Sequence, residues 1–269
     1  MQLLDLQHID DNYDHIYLSP HLDDAALSCG GTIALQCQNN DRVLVVTLCT
    51  AAPAPNTSFS ALAEEFHGQW ALSPDQVVSA RLQEDRLAME HLDVDYYWAH
   101  FADAIYRHPA AYHSRDTLFN QPSSDDPLRP LLGELVQMLV EHAPQAILYF
   151  PLGVGSHVDH LLTYAAAMYH DNLNTLFYED FPYVAVPGAL EQRRAKLDDH
   201  MISTMMTIDS VIETKLASIN AYESQMNELF GGSDTMRQTV KQHGRSLCPD
   251  KATYRERFWK KSPTHISHA

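Results

Sequence analysis

Two short stretches hold the residues able to do chemistry. The first is Ser19 to Gly31, SPHLDDAALSCGG, where His21, Asp23 and Asp24 follow an apolar run and precede a helical pattern. His21 and Asp24 lie three apart on a tight turn and can converge on one cation, while Asp23 between them points elsewhere. The second is His157-Val158-Asp159-His160, which follows the apolar run Ala146 to Pro151 and the flexible 152–156. A hydrolytic divalent ion takes about three protein ligands and keeps a position open for water. His21, Asp24 and one histidine of the second stretch supply that number and leave Asp23 to accept a proton. The plainer alternative is two helix starts in which aspartates cap free amides and the histidines are incidental. Two such coincidences, each at a strand end, are less economical than one site.

The elements that must position these residues follow from periodicity. Strand-like runs at His15 to Leu18, Val43 to Leu48, Val94 to Trp98, Ala146 to Phe150 and Thr175 to Tyr178 alternate with helical patterns near 23–38, 76–92, 129–142, 159–171 and 209–229. Such alternation predicts an α/β, single-domain Rossmann-like fold, with a mainly parallel sheet and helices on both faces. Ligands of these sheets bind outside the carboxyl ends of the strands, where both stretches fall. No GxGxxG follows the first strand, and the pair Gly30-Gly31 lies too far into the helix to cradle a pyrophosphate. Residues 50–60 and 100–127, rich in Pro, Ser, Asn, Asp and aromatics, are expected as walls and lid of a substrate pocket, with Glu179 to Val186 as a third wall. The domain is expected over 1–261, and 262–269, without apolar periodicity, as a frayed tail.

The two stretches together resemble the motifs of the LmbE-like or PIG-L family of zinc-dependent N-acetyl deacetylases, which read His-Pro-Asp-Asp-Glu and His-x-Asp-His. Leu22 and Ala25 stand here in place of the Pro and Glu. The resemblance implies His21, Asp24 and His160 as ligands of one zinc per chain, and Asp23 as the general base. His157 would steady the oxyanion or protonate the leaving amine, with Asp159 orienting it. Arg81, Glu84, Ala88 and Leu92 also match the family, as do Lys215, Ala217, Ser224 and Gln225; Tyr222 stands where the family more often has His. On ligand chemistry alone, two His and one Asp accept Fe(II), Co(II) or Ni(II) as well as zinc.

The chain has 269 residues, 45% hydrophobic and 20% charged, so it is long enough for one well-buried core. Its formal charge of -17 gives no support to a role on nucleic acid or on anionic membranes. No Lys or Arg precedes Arg42 and no apolar run reaches transmembrane length, from which a cytoplasmic location is expected. Cys29, Cys37, Cys49 and Cys248 lack CxxC spacing and read as reduced structural thiols. Arg81 and Glu84 are spaced as a helix surface pair, or as groups bracing the site or binding substrate. Asp103, Tyr106 and Arg107 sit in the long loop where a carboxylate and an aromatic face would grip a polyol. Other histidines, among them His108, His113, His200 and His243, read as solvated or locally bonded, and Met201, Met205 and Met206 as packing residues.

The expected function is zinc-dependent removal of an acetyl group from an N-acetylated amino sugar or small glycoconjugate, a small-molecule substrate, by metal-activated water. The alternatives are amide or ester hydrolysis on a non-sugar substrate, and a catalytically silent carbohydrate- or metal-binding module. Asp23, a base that binding alone does not require, argues against the silent module. A homo-oligomer stays open.

Overall fold

A computed structural model describes residues 1–6, 9, 12–53, 58–70, 74–168, 174–197 and 201–262. The tail expected beyond Ser262, His200 and residues 54–57 of the first expected wall therefore lie outside the described residues. The strands are β1 (Gln2–Leu3), β2 (His15–Ser19), β3 (Val43–Cys49), β4 (Asp95–Phe101), β5 (Ile147–Pro151), β6 (Thr175–Tyr178), β7 (Met201–Thr207) and β8 (Arg255–Lys261). The helices are α1 (Asp24–Gln38), α2 (Ala61–Trp70), α3 (Pro74–Leu92), α4 (Ala104–Arg107), α5 (Arg115–Leu118), α6 (Leu128–His142), α7 (Val158–Ala167), α8 (Ala189–Arg194), α9 (Ile212–Asn220), α10 (Glu223–Phe230) and α11 (Ser233–Ser246).

One sheet runs β1-β4-β3-β2-β5-β6-β8-β7. Its strands pair in parallel from β1 through β6, and β8 and β7 close the far edge antiparallel. The apolar runs become central strands because both faces are covered. Tyr17, Val43 and Val45 pack with α1, α3 and α9 on one side, while Ile16, Leu18, Leu44 and Val46 pack with α6 and α7 on the other. The period of two along β2 and β3 thus divides the core into two clusters.

The chain leaves β2 towards β3 and β4, then returns to the other side of β2 as β5. The order reverses between β2 and β5, and a crevice opens outside the carboxyl ends of these two strands. His21 lies two residues beyond β2 and His157 six beyond β5. Topology, not sequence proximity, brings the two motifs together.

Three features depart from the sequence expectation. The hairpin-like pair β7 and β8 was not foreseen, since β7 is largely exposed and β8, RERFWKK, is mostly charged. The single helix expected over 209–229 is broken at Tyr222, whose ψ of 62° leaves the helical range and whose hydroxyl donates to Asp85 Oδ1 at 2.7 Å. The first expected wall is followed by an unforeseen helix, α2, and the second contains the short helices α4 and α5.

One buried ion pair ties the antiparallel edge to α1. Lys215 Nζ donates to Glu256 Oε1 at 2.6 Å, and the same carboxylate accepts the Gly31 and Thr32 amides at 2.9 and 2.7 Å. Gly31 is required by this approach, because a Cβ there would lie 2.6 Å from Ile208 Cδ1. Lys215→Met would leave the Glu256 carboxylate buried without its cation. The expected loss is about 3–5 kcal/mol of folding free energy, read from the urea midpoint.

Candidate metal centre and active site

Both motifs are held by the turns that follow their strands. Ser19 Oγ, at the end of β2, donates to His21 O at 2.7 Å and accepts the Ala25 amide at 3.1 Å. Ser19 therefore does the capping at the start of α1, and the side chain of Asp23 makes no cap hydrogen bond. The capping explanation thus fails for Asp23, while Asp24 Oδ2 does accept one backbone amide, that of His21 at 2.8 Å. His157 is the N-cap of α7, its Nδ1 accepting the Asp159 amide at 3.2 Å.

Three side-chain atoms then face one another. Asp24 Oδ2 is 3.2 Å from His21 Nδ1 and 3.2 Å from His160 Nε2. The far nitrogen of each ring is claimed by another carboxylate: His21 Nε2 is 3.2 Å from Asp159 Oδ2, and His160 Nδ1 is 2.6 Å from Asp180 Oδ1. Asp180 is itself fixed, its Oδ2 accepting the Gly153 and Val154 amides, both at 2.8 Å. With each ring donating its proton outward, two lone pairs and a carboxylate oxygen converge on one point. Such an arrangement needs positive charge between its members. Donor separations of 3.2 Å match the edge of a zinc tetrahedron, about 3.3 Å for bonds near 2.0 Å.

The electrostatics agree. Burial disfavours a charged His21 ring, yet hydrogen bonds donated to Asp159 and Asp24 hold its pKa well above the ordinary value. Burial likewise opposes His160, whose pKa Asp24 and Asp180 nevertheless lift to about 9. Asp24, although buried, is held well below the usual carboxylate range by the His160 charge. The same field that favours added protons on these rings favours a metal cation in their place.

Other ligand sets fit less well. Nitrogens of His21, His157 and His160 lie within 4.8 Å of one another, as do ligand atoms of His21, Cys49 and Asp159. A neutral imidazole has one lone pair, and that of His157 is taken by the Asp159 amide. Burial pushes the Cys49 thiol well up, so it lacks the thiolate character a ligand needs. The residues present fit a divalent ion held by His21, Asp24 and His160.

A cavity of about 310 Å³ opens over this centre. His21, Asp23, Asp24, Arg81, Asp103 and His157 give it a polar floor. Phe66, Leu118, Phe119, Tyr183 and Leu229 form apolar walls, and Gln225 and Glu228 of α10 line it as well. The expected second and third walls thus contribute, the third through Pro182 and Tyr183. Burial raises the Asp23 pKa, opposed by the Arg81 guanidinium, whose Nη2 stands 3.8 Å from Asp23 Oδ2.

Arg81 and Asp103, expected on substrate, line the cavity, but Tyr106 and Arg107 do not. Tyr106 Oη is 2.7 Å from His67 Nε2. Arg107 Nη2 donates to Asp159 Oδ1 at 2.6 Å and to Asp126 Oδ2 at 2.9 Å, while its Nε donates to Asp126 Oδ1 at 2.8 Å. With 6% of its side chain exposed, Arg107 braces Asp159 from beneath. Asp159 in turn holds His21, its Oδ2 lying 4.0 Å from His157 Nδ1; its amide, not its carboxylate, orients His157. Glu84 accepts the Ser224 amide and hydroxyl at 2.8 and 2.7 Å, tying α3 to α10.

Sequence reasoning does not single out Asp180, Asp126 or, of the α10 residues of the cavity, Glu228 and Leu229; Gln225 enters it only as a family match. Asp180 had one legible signal, its place two residues beyond the end of β6, beside the switch point. Asp180→Asn is expected to weaken metal binding about 10–100-fold, the usual cost of losing an outer partner of a ligand histidine, read by competition with a chromogenic chelator.

The PIG-L (GlcNAc-PI de-N-acetylase) profile matches residues 16–170, more than half of the chain and both motifs. The chain belongs to the PIG-L family. Within it, the chain is 28% identical over 251 residues to 2'-N-acetylparomamine deacetylase of Streptomyces fradiae, covering 88% of this chain and 80% of that protein. The protein of that name from Niallia circulans is 27% identical over 234 residues, covering 80% of this chain and 82% of its own. Among solved structures, the zinc-inhibited form of teicoplanin deacetylase superposes with a TM-score of 0.77 at 27% identity, over 93% of this chain and 98% of that one. Fold and family expectations are thereby met.

Proposed function

We propose that this PIG-L member is a metal-dependent deacetylase that hydrolyses the N-acetyl group of an amino sugar or small glycoconjugate. The observation that carries this reading is the convergence of His21 Nδ1, Asp24 Oδ2 and His160 Nε2 beneath a cavity with Asp23 and His157 on its floor. The names of the three similar proteins reported above, two 2'-N-acetylparomamine deacetylases and a teicoplanin deacetylase, support the choice of bond. Zinc, one per chain, is the metal we assign to His21, Asp24 and His160.

A bound divalent ion of this kind polarises a carbonyl and lowers the pKa of water towards about 7. Asp23, adjacent to a ligand but not one, accepts the water proton. Arg81 holds its carboxylate in place from 3.8 Å. His157 cannot be protonated at Nδ1 while it accepts the Asp159 amide, so its one proton sits on Nε2. It therefore donates a hydrogen bond to the developing oxyanion and does not surrender the proton. The leaving amine takes its proton from Asp23, which returns the one it accepted. His157→Gln is expected to lower kcat about 10²–10³-fold with metal content unchanged, as for loss of one oxyanion donor; unchanged turnover would remove this role.

The reading is tested by following free amine with fluorescamine across a panel of N-acetylated amino sugars and glycoconjugates. Chelator-sensitive amine release is the expected result. Metal-loaded protein that releases no amine from any of them would contradict it and move the reaction to another acyl substrate.

A further inference from the structure

A second cavity, of about 300 Å³, lies away from the metal centre and differs from it in chemistry. Its floor is the stripe Leu161, Tyr164, Ala165 and Met168 along α7, and its cations are Arg129, Arg193 and Lys196. Among the described residues no aspartate or glutamate lines it, in a chain carrying 35 of them against 18 lysines and arginines. Three positive charges in one concavity, none paired with a carboxylate among the described residues, favour a ligand of opposite sign.

The key group is Arg193, 7% exposed. Its Nε donates to Leu152 O at 2.7 Å and its guanidinium lies 4.6 Å from the centre of the Tyr164 ring. Among the described residues no acceptor is found for its Nη atoms and no carboxylate pairs with it. Asp180, the carboxylate that acts on it electrostatically, is already committed to His160 and two amides. Burial lowers the Arg193 pKa, partly offset by Tyr164 and Asp180. Arg129 donates through Nε only to the Ser123 carbonyl at 3.2 Å, and Lys196 is exposed at the rim.

We infer that this cavity binds a phosphate group, either as the free ion or carried by a small phosphorylated molecule. Two planar guanidinium forks match phosphate oxygens in pairs, and a dianion offsets more of the three charges than a single carboxylate does. The volume sits at the lower end of small-molecule pockets, leaving room for a ring against Tyr164 and Met168 beside the phosphate.

Isothermal titration of the metal-loaded protein with inorganic phosphate, and separately with glucose 6-phosphate, tests the assignment. Saturable binding of at least one is expected. The double variant Arg129→Gln/Lys196→Gln should weaken it about tenfold or more, as two lost charge contacts require, with an unshifted melting temperature. Tighter binding of the sugar phosphate would assign the rest of the cavity to its carrier, and equal binding would assign the free ion. No saturation by either ligand up to about 10 mM, or equal affinity in the double variant, would overturn the inference; the second result would place the anion elsewhere, including the metal centre.

Discussion

Asp23→Asn is expected to lower kcat by about 10²–10⁴-fold while leaving bound metal at the wild-type level. The substitution keeps the size of the side chain, so the cavity floor and the approach of Arg81 survive it. What it removes is the one carboxylate on that floor which is neither pointed between the two ligand rings nor tied to a helix cap. In the proposed mechanism Asp23 both accepts the water proton and returns it to the amine, so its loss would fall on two steps of one turnover. Amine release and metal content measured on the same preparation separate this role from a structural one. Activity within a few-fold of wild type would eliminate Asp23 as the base.

His160→Ala is expected to strip the centre of metal, and with it all measurable turnover. The ring lies deep in the fold, with Asp24 on one nitrogen and Asp180 on the other. No neighbour stands ready to replace it, since the lone pair of His157 is occupied. Removal also leaves the Asp180 carboxylate, 1% exposed, without one of its partners, so the variant's melting temperature must be read beside its metal content. A folded variant with normal metal stoichiometry would show that the ligands are wrongly assigned.

The parts of this molecule that could be read from sequence are those encoded locally. β2, β3 and β5 announce themselves as apolar runs because both of their faces are buried, and β4 and β6, only partly buried, through their aromatic residues. β7 and β8 do not, since an exposed antiparallel edge with alternating charge carries little of that signal. His21, Asp23 and Asp24 are legible because three adjacent side chains on one turn are already a partial site. The carboxylates that fix His160 and Arg107 are not, because each comes from a separate part of the chain. Asp180 reaches His160 across 20 residues and Asp126 reaches Arg107 across 19, and neither spacing has a period that marks it. Arg107 illustrates the resulting error. A cation in an irregular loop reads as a substrate group until its two carboxylates are located. Asp159 does orient His157, through its amide, while its carboxylate serves His21, a division between two histidines that no spacing reveals.

The most direct test of the central claim is the metal content of the purified wild-type chain, by mass spectrometry, after chelation and reconstitution with zinc. About one tightly held ion per chain is the predicted result, the stoichiometry of a single three-ligand centre. A chain that retains no metal after reconstitution would contradict the account, leaving two histidines and an aspartate pointed at one another with nothing to hold.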